Sequence, residues 1–159
     1  MIDEIFMREA IKQAKLAADA DEVPVGAIIV CGSQMLAKAH NQVETLKDPT
    51  AHAEMIAITQ AANTLGSKWL HECTLYVTLE PCTMCVGALV LARIKRIVFG
   101  AYDPKTGACG SFVDLGHDRR FNHTIDIQGG ILQNECGELL SRFFRGKRVK
   151  ENNGPVQSN

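Results

Sequence analysis

No apolar run in these 159 residues approaches the length a membrane span needs. The stretch Met1-Ile2-Asp3-Glu4-Ile5-Phe6 carries acid where a secretory signal carries base, and no long apolar core follows it. A cytoplasmic protein with no membrane attachment is therefore expected. There is no excess of positive charge either. Lysine and arginine number 17 against 18 acidic residues, a net charge of -1, which excludes a chain that binds nucleic acid over its whole surface. The charge asymmetry is local: Asp19, Asp21 and Glu22 crowd the early chain, and Arg142, Arg145, Lys147, Arg148 and Lys150 crowd its end. The sequence has no internal repeat, no second Cys-x-x-Cys and no His-x-x-x-His. Its six cysteines, without an export signal, do not suggest a disulfide framework.

What is present is an ordinary globular composition, 46% hydrophobic and 22% charged, in a chain sized for one compact domain. Residues 4–20 suggest a helix with Ile5, Ile11, Ala14, Leu16 and Ala18 along its apolar side. The β-branched runs at 23–30 and 34–39 predict a hairpin, and 41–50 a loop. An alanine-rich helix is expected over 53–65, stopped by Gly66. Further strands are expected at 74–79, 93–100 and 125–128. Helices are expected at 82–92, opened by Pro81, and at 134–147. Residues 102–122 suggest a long irregular segment, of the kind that is usually functional or disordered. Strands alternate with helices, which predicts an α/β fold of three α/β/α layers around a mixed five-stranded sheet. The domain is expected over 1–150, and 151–159 as a disordered polar tail.

Two short stretches carry the chemistry: Thr50-Ala51-His52-Ala53-Glu54 and Glu80-Pro81-Cys82-Thr83-Met84-Cys85. With proline at a helix start, Cys82 and Cys85 lie three apart on one face, near the positive end of the dipole that favours thiolates. That is half of a zinc site. His52 is the best-placed third ligand, with Cys73 and Cys31 as rivals in apolar strand surroundings. Three ligands leave one position for water, whose pKa zinc lowers to about 7, so the site suits catalysis. Glu54, two residues from His52, reaches the same centre only if the motif lies at the entry to its helix. There it would shuttle protons without binding the metal. Alone, His-x-Glu or Cys-x-x-Cys is background. Jointly, with proline before the first cysteine, they resemble the pattern of zinc-dependent nucleobase deaminases.

The resemblance extends over residues 4–148, to the bacterial tRNA-specific adenosine deaminases, the TadA family. It rests on Glu22-Val23-Pro24-Val25-Gly26-Ala27, on His40-Asn41, and on the run from Asp48 to Glu54. It continues through Asp103-Pro104-Lys105-Thr106-Gly107-Ala108-Cys109-Gly110-Ser111, Asn122-His123, and Leu139-Leu140-Ser141-Arg142-Phe143-Phe144-Arg145. The resemblance implies a cytidine-deaminase-like fold, a bound Zn2+, a homodimer, and conversion of the wobble adenosine of a tRNA anticodon to inosine. It implies that Asn41 bonds the flipped purine, with an Asx-turn as the alternative, and that Asp103 sits near the ribose, with an Asp-Pro turn as the alternative. Val25 and Ala53 would line the base pocket or belong to the core.

Phe143 and Phe144 are adjacent on a helix and cannot both face the core, being about 100° apart. Beside Arg142, Arg145, Lys147 and Arg148 they suit unstacked RNA bases and phosphates, the alternative being one core phenylalanine on a solvated basic helix. His117 and His123 have no partner identifiable from sequence. Two other functions compete with the leading one. A free-base or nucleoside deaminase acting on guanine or cytosine would have no need of the basic aromatic helix. A zinc-stabilised binding module would have no use for a non-ligand Glu54.

Overall fold

A computed structural model describes residues 1–152. The order is α1 (Ile2–Asp19), β1 (Gly26–Cys31), β2 (Gln34–His40), α2 (Val43–Leu46), α3 (Ala53–Leu65), β3 (Cys73–Leu79), α4 (Thr83–Leu91), β4 (Arg96–Ala101), β5 (Asp126–Gln128) and α5 (Gln133–Asn152). The five strands form one sheet in the order β2-β1-β3-β4-β5. β1 runs antiparallel to β2 and β3, while β3, β4 and β5 are parallel. The sheet is therefore mixed, as the alternation of elements predicts.

Period-two side chains build the layers. Ala27, Ile29, Leu75, Val77, Ile97 and Phe99 pack with α3 and α4 on one face, whereas Ile28, Val30, Tyr76 and Val98 pack with α1 and α5 on the other. Both faces are buried, which is why the strands are continuously apolar in sequence. Gly26 admits α1 onto the sheet: a Cβ there would lie 2.0 Å from the Ala10 carbonyl oxygen. Gly66 ends α3 with a left-handed φ of 64°. Among the described residues no helix is long and apolar enough to cross a membrane.

Several boundaries differ from expectation. On α1 the buried residues are Met7, Ala10, Ile11, Ala14 and Ala17, while Ile5 and Leu16 are exposed. Ile5 and Leu16 share one line of the helix, about 120–140° round from Ile11. β1 begins only at Gly26, because Pro24 has no N–H for the ladder. Residues 93–95 make a turn before β4, with Arg93 at a left-handed φ of 59°. The expected loop after β2 contains the short helix α2. α5 runs on to Asn152, two residues into the expected tail, and its basic end suits the negative end of the helix dipole. The remainder of that tail, 153–159, lies outside the described residues.

Candidate active site

The two motifs meet because α3 and α4 both begin at one place. His52 is the residue before α3, extended at φ −72° and ψ 149°, and Cys82 is the residue before α4, extended at φ −78° and ψ 176°. An extended His52 followed by a helical first turn turns Glu54 to the same centre, the arrangement that entry to the helix predicts. His52 Nδ1 lies 3.6 Å from both Cys82 Sγ and Cys85 Sγ. All three donor atoms fall within 4.8 Å of one another. Zinc bonds of about 2.05 Å to nitrogen and 2.3 Å to sulfur at tetrahedral angles put N and S about 3.6 Å apart, so the spacing fits that ion. Cys31 and Cys73, the rival ligands, pair with each other across β1 and β3. Cys73 begins β3 and the cluster lies beyond its far end, about 20 Å along the strand.

Electrostatics distinguish the members. The Cys85 thiol beside Cys82, with a further contribution from His52, holds Cys82 down to about 4, whereas the same sulfur contact and burial push Cys85 up. Cys82 in turn raises His52. Burial raises Glu54, which is 4% exposed. Its Oε1 is the buried side-chain oxygen or nitrogen with no hydrogen-bond partner among the described residues. An orphaned carboxylate oxygen beside a His-Cys-Cys cluster is costly to folding unless something arrives to meet it. It fits a metal site with an open position for water.

A cavity of about 380 Å³ opens onto the cluster, within the usual range for small-ligand sites. Val25 and Asn41 line it, together with His52, Glu54, Cys82 and Asp103. Asn41 makes no local turn; its Oδ1 accepts the Ala53 N–H at 2.8 Å, so the donor end of the amide is what remains for a ligand. Ala53 is fully buried behind this bond and is not part of the wall. Asp103 is at the rim with its carboxylate accepting from Lys105 N, Thr106 N and Thr106 Oγ1, so it makes the turn and borders the cavity at once.

The end of α5 reaches the same opening. Phe144 is exposed and lines an adjoining groove with Asp103 and Leu140. Phe143 is half-buried, edge-on to Phe144, with the Lys147 ammonium 5.1 Å over its ring. Arg145 pairs with Glu138 at 3.1 Å and is not in the wall, whereas Lys147 is. Lys147 was legible as the basic residue one turn beyond Phe143. Glu22 and Glu80, both buried at the cavity, were not. Glu22 accepts from Glu44 N, Thr45 N and Thr45 Oγ1 and so holds α2 in place. Burial alone would raise the Glu22 carboxyl, but these bonds hold it below the ordinary range. The two histidines without evident roles have structural partners: His117 Nδ1 meets Asp114 Oδ2 at 2.9 Å, and His123 Nε2 meets the Ile94 carbonyl at 2.6 Å.

Residues 1–148 match the MafB19-like deaminase family. The tRNA-specific adenosine deaminase of Bacillus subtilis (strain 168) is 50% identical over 149 residues, covering 94% of this chain and 92% of that protein. That of Aquifex aeolicus is 49% identical over 145 residues, 91% of this chain and 95% of the relative. A solved structure from a study of A-to-I editing by tRNA:A34 deaminases at the wobble position has a TM-score of 0.82 at 42% identity, over 85% of this chain and 98% of its own. Fold, cluster and match together define a deaminase with a His-Cys-Cys site able to hold a metal. The chain belongs to the MafB19-like deaminase family, among the tRNA-specific adenosine deaminases.

Proposed function

We propose that the chain binds one zinc ion through His52 Nδ1, Cys82 Sγ and Cys85 Sγ and deaminates the wobble adenosine of a tRNA anticodon to inosine. It would do so as a cytoplasmic homodimer, with residues 1–150 as the deaminase domain. The observation that carries the chemistry is Glu54 Oε1, buried and unpartnered beside the three donors. When bound, zinc supplies a water made acidic enough to lose its proton near neutral pH. Glu54 Oε1 would move two protons as the water oxygen bonds C6: one from that water to the purine ring nitrogen, and one from the hydroxyl so formed on C6 to the amine, which leaves as ammonia when the C6–N bond breaks. Asn41, its carbonyl end fixed by Ala53 N, offers its amide donors to the purine edge. Val25 closes the apolar side of the pocket, and Asp103 holds the rim where the ribose would lie.

An anticodon loop suits this opening. Its bases are already partly unstacked, so presenting one to the cavity costs less than extraction from a duplex. Phe144 beside the rim offers a stacking face to a neighbouring base, and Phe143 with Lys147 offers a ring and a cation to the backbone. A free base would use none of these. The test compares deamination of an anticodon stem-loop with that of free adenine, guanine and cytosine, with zinc measured by elemental analysis. Stem-loop conversion with one zinc per chain is expected. Turnover of guanine or cytosine with the stem-loop untouched would replace this reading with the free-base one.

A further inference from the structure

Glu80 lies two residues before Cys82 and is 2% exposed. A buried carboxylate needs its oxygens satisfied, and here every donor comes from one distant loop. Glu80 Oε1 accepts from Asp103 N at 3.1 Å and from the Ser111 hydroxyl; Oε2 accepts from Cys109 N at 3.0 Å and Ser111 N at 3.1 Å. The loop passes so close that a Cβ on Gly107 would lie 2.4 Å from the carboxylate. The Ala108 N–H also donates to the Pro81 carbonyl at 2.8 Å, and Gly107 forms a bridge with Cys82. The segment 103–111, irregular in itself, is thereby fastened to the residues that lead into α4. It carries Asp103 and Thr106, which border the cavity.

We propose that Glu80 is a positioning residue for substrate: it sets the distance between the metal-ligating helix start and the rim formed by Asp103 and Thr106. The proposal rests on the deaminase reading of the same site. Four donors converging on one group require an acceptor-only partner, which a carboxylate is and an amide is not. In Glu80→Gln the amide nitrogen has to face an N–H, and the loop swings away. Among the described residues, His52 and Glu54 at the start of α3 and Cys85 in α4 make no hydrogen bond to the loop, and Cys82, though bridged to Gly107, stays tied to α4 because its carbonyl accepts the Val86 N–H at 3.0 Å. The predicted signature is therefore a binding defect with the chemistry largely intact.

The experiment uses full-length zinc-loaded protein and an anticodon stem-loop. Glu80→Gln is expected to raise KM about tenfold or more while changing kcat much less, since charged hydrogen bonds to the rim are lost and Glu54 is not moved. Zinc should remain at one per chain. Ser111→Ala, at an exposed residue, should raise KM in the same sense, and Ser111→Thr, which keeps the hydroxyl, should restore it. A purely structural role would lower thermal stability in both Ser111 variants without this split. Unchanged KM in folded, zinc-loaded Glu80→Gln overturns the proposal. If Glu80→Gln does not fold, equal KM for Ser111→Ala and Ser111→Thr overturns it. Amide exchange at 103, 109 and 111 separates this failure from failure of the deaminase reading. Should wild type leave the stem-loop unconverted while Glu80→Gln still frees those amides, the anchor stands and only the assigned substrate falls.

Discussion

Glu54 is expensive to keep. A carboxylate oxygen buried without a partner forfeits the bonds it had to water and gains none within the fold. Glu54→Gln should therefore remove turnover by about 10²–10⁴-fold or more, since one group serves two proton transfers. It should leave zinc content unchanged, because the ligands are untouched. The chelator-treated variant should melt at or above the temperature of chelator-treated wild type, which paired thermal melts will measure. A melt several degrees lower would show that Glu54 supports the fold and that its unpaired oxygen misrepresents its role. The same residue scale shows where sequence reasoning stops. His52, Glu54, Cys82 and Cys85 announce themselves by spacing. Glu22 and Glu80 do not, because their donors lie 22 to 31 residues further along the chain and a buried acid looks like a surface one in sequence.

At the scale of elements, α1 and α5 cover the same face of the sheet and illustrate different limits. The short apolar, β-branched run of β3 and the Gly66 stop made β3 and α3 legible, since composition and punctuation are local signals. The buried side of α1 was harder, because alanines at 10, 14 and 17 form most of it and larger residues such as Ile5 face outward. What makes those alanines necessary is Gly26, which lets β1 touch the helix backbone. Gly26→Ala should cost about 1–3 kcal/mol or more, as overpacking at a backbone contact has no flexible side chain to yield. Denaturant unfolding will read it directly. On α5, Lys147→Ala should weaken stem-loop binding and flatten its salt dependence by about one phosphate contact. Arg145→Ala should flatten it less, because Glu138 already holds Arg145. Phe143→Ala with Phe144→Ala should lose about 1–3 kcal/mol for each base that stacks there. Equal salt slopes for the Lys147 and Arg145 variants would return Arg145 to the interface.

For the molecule as a whole, a metal held by His52, Cys82 and Cys85 would join two helices that arrive by different routes, α3 after the hairpin and α4 after β3. Removing zinc with a chelator should abolish deamination and lower the melting temperature, and adding Zn2+ should restore both. A chelated protein with unchanged melting and activity would remove the metal from the account. The positions of His52 and Cys82 at the helix starts carry one more consequence. A serine, threonine, aspartate or asparagine there would cap its helix, a contribution of about 1 kcal/mol. Neither His52 nor Cys82 does so through its side chain. α3 has a substitute in Asn41, whose oxygen accepts the first helical N–H from outside the helix; among the described residues α4 has no side-chain cap of its own. An ion drawing on both helix starts would act as a shared fastener, and its loss would be felt unequally. In chelated protein the amides of 83–85 should exchange with solvent ahead of those of 53–55, so that fraying begins at the two cysteines.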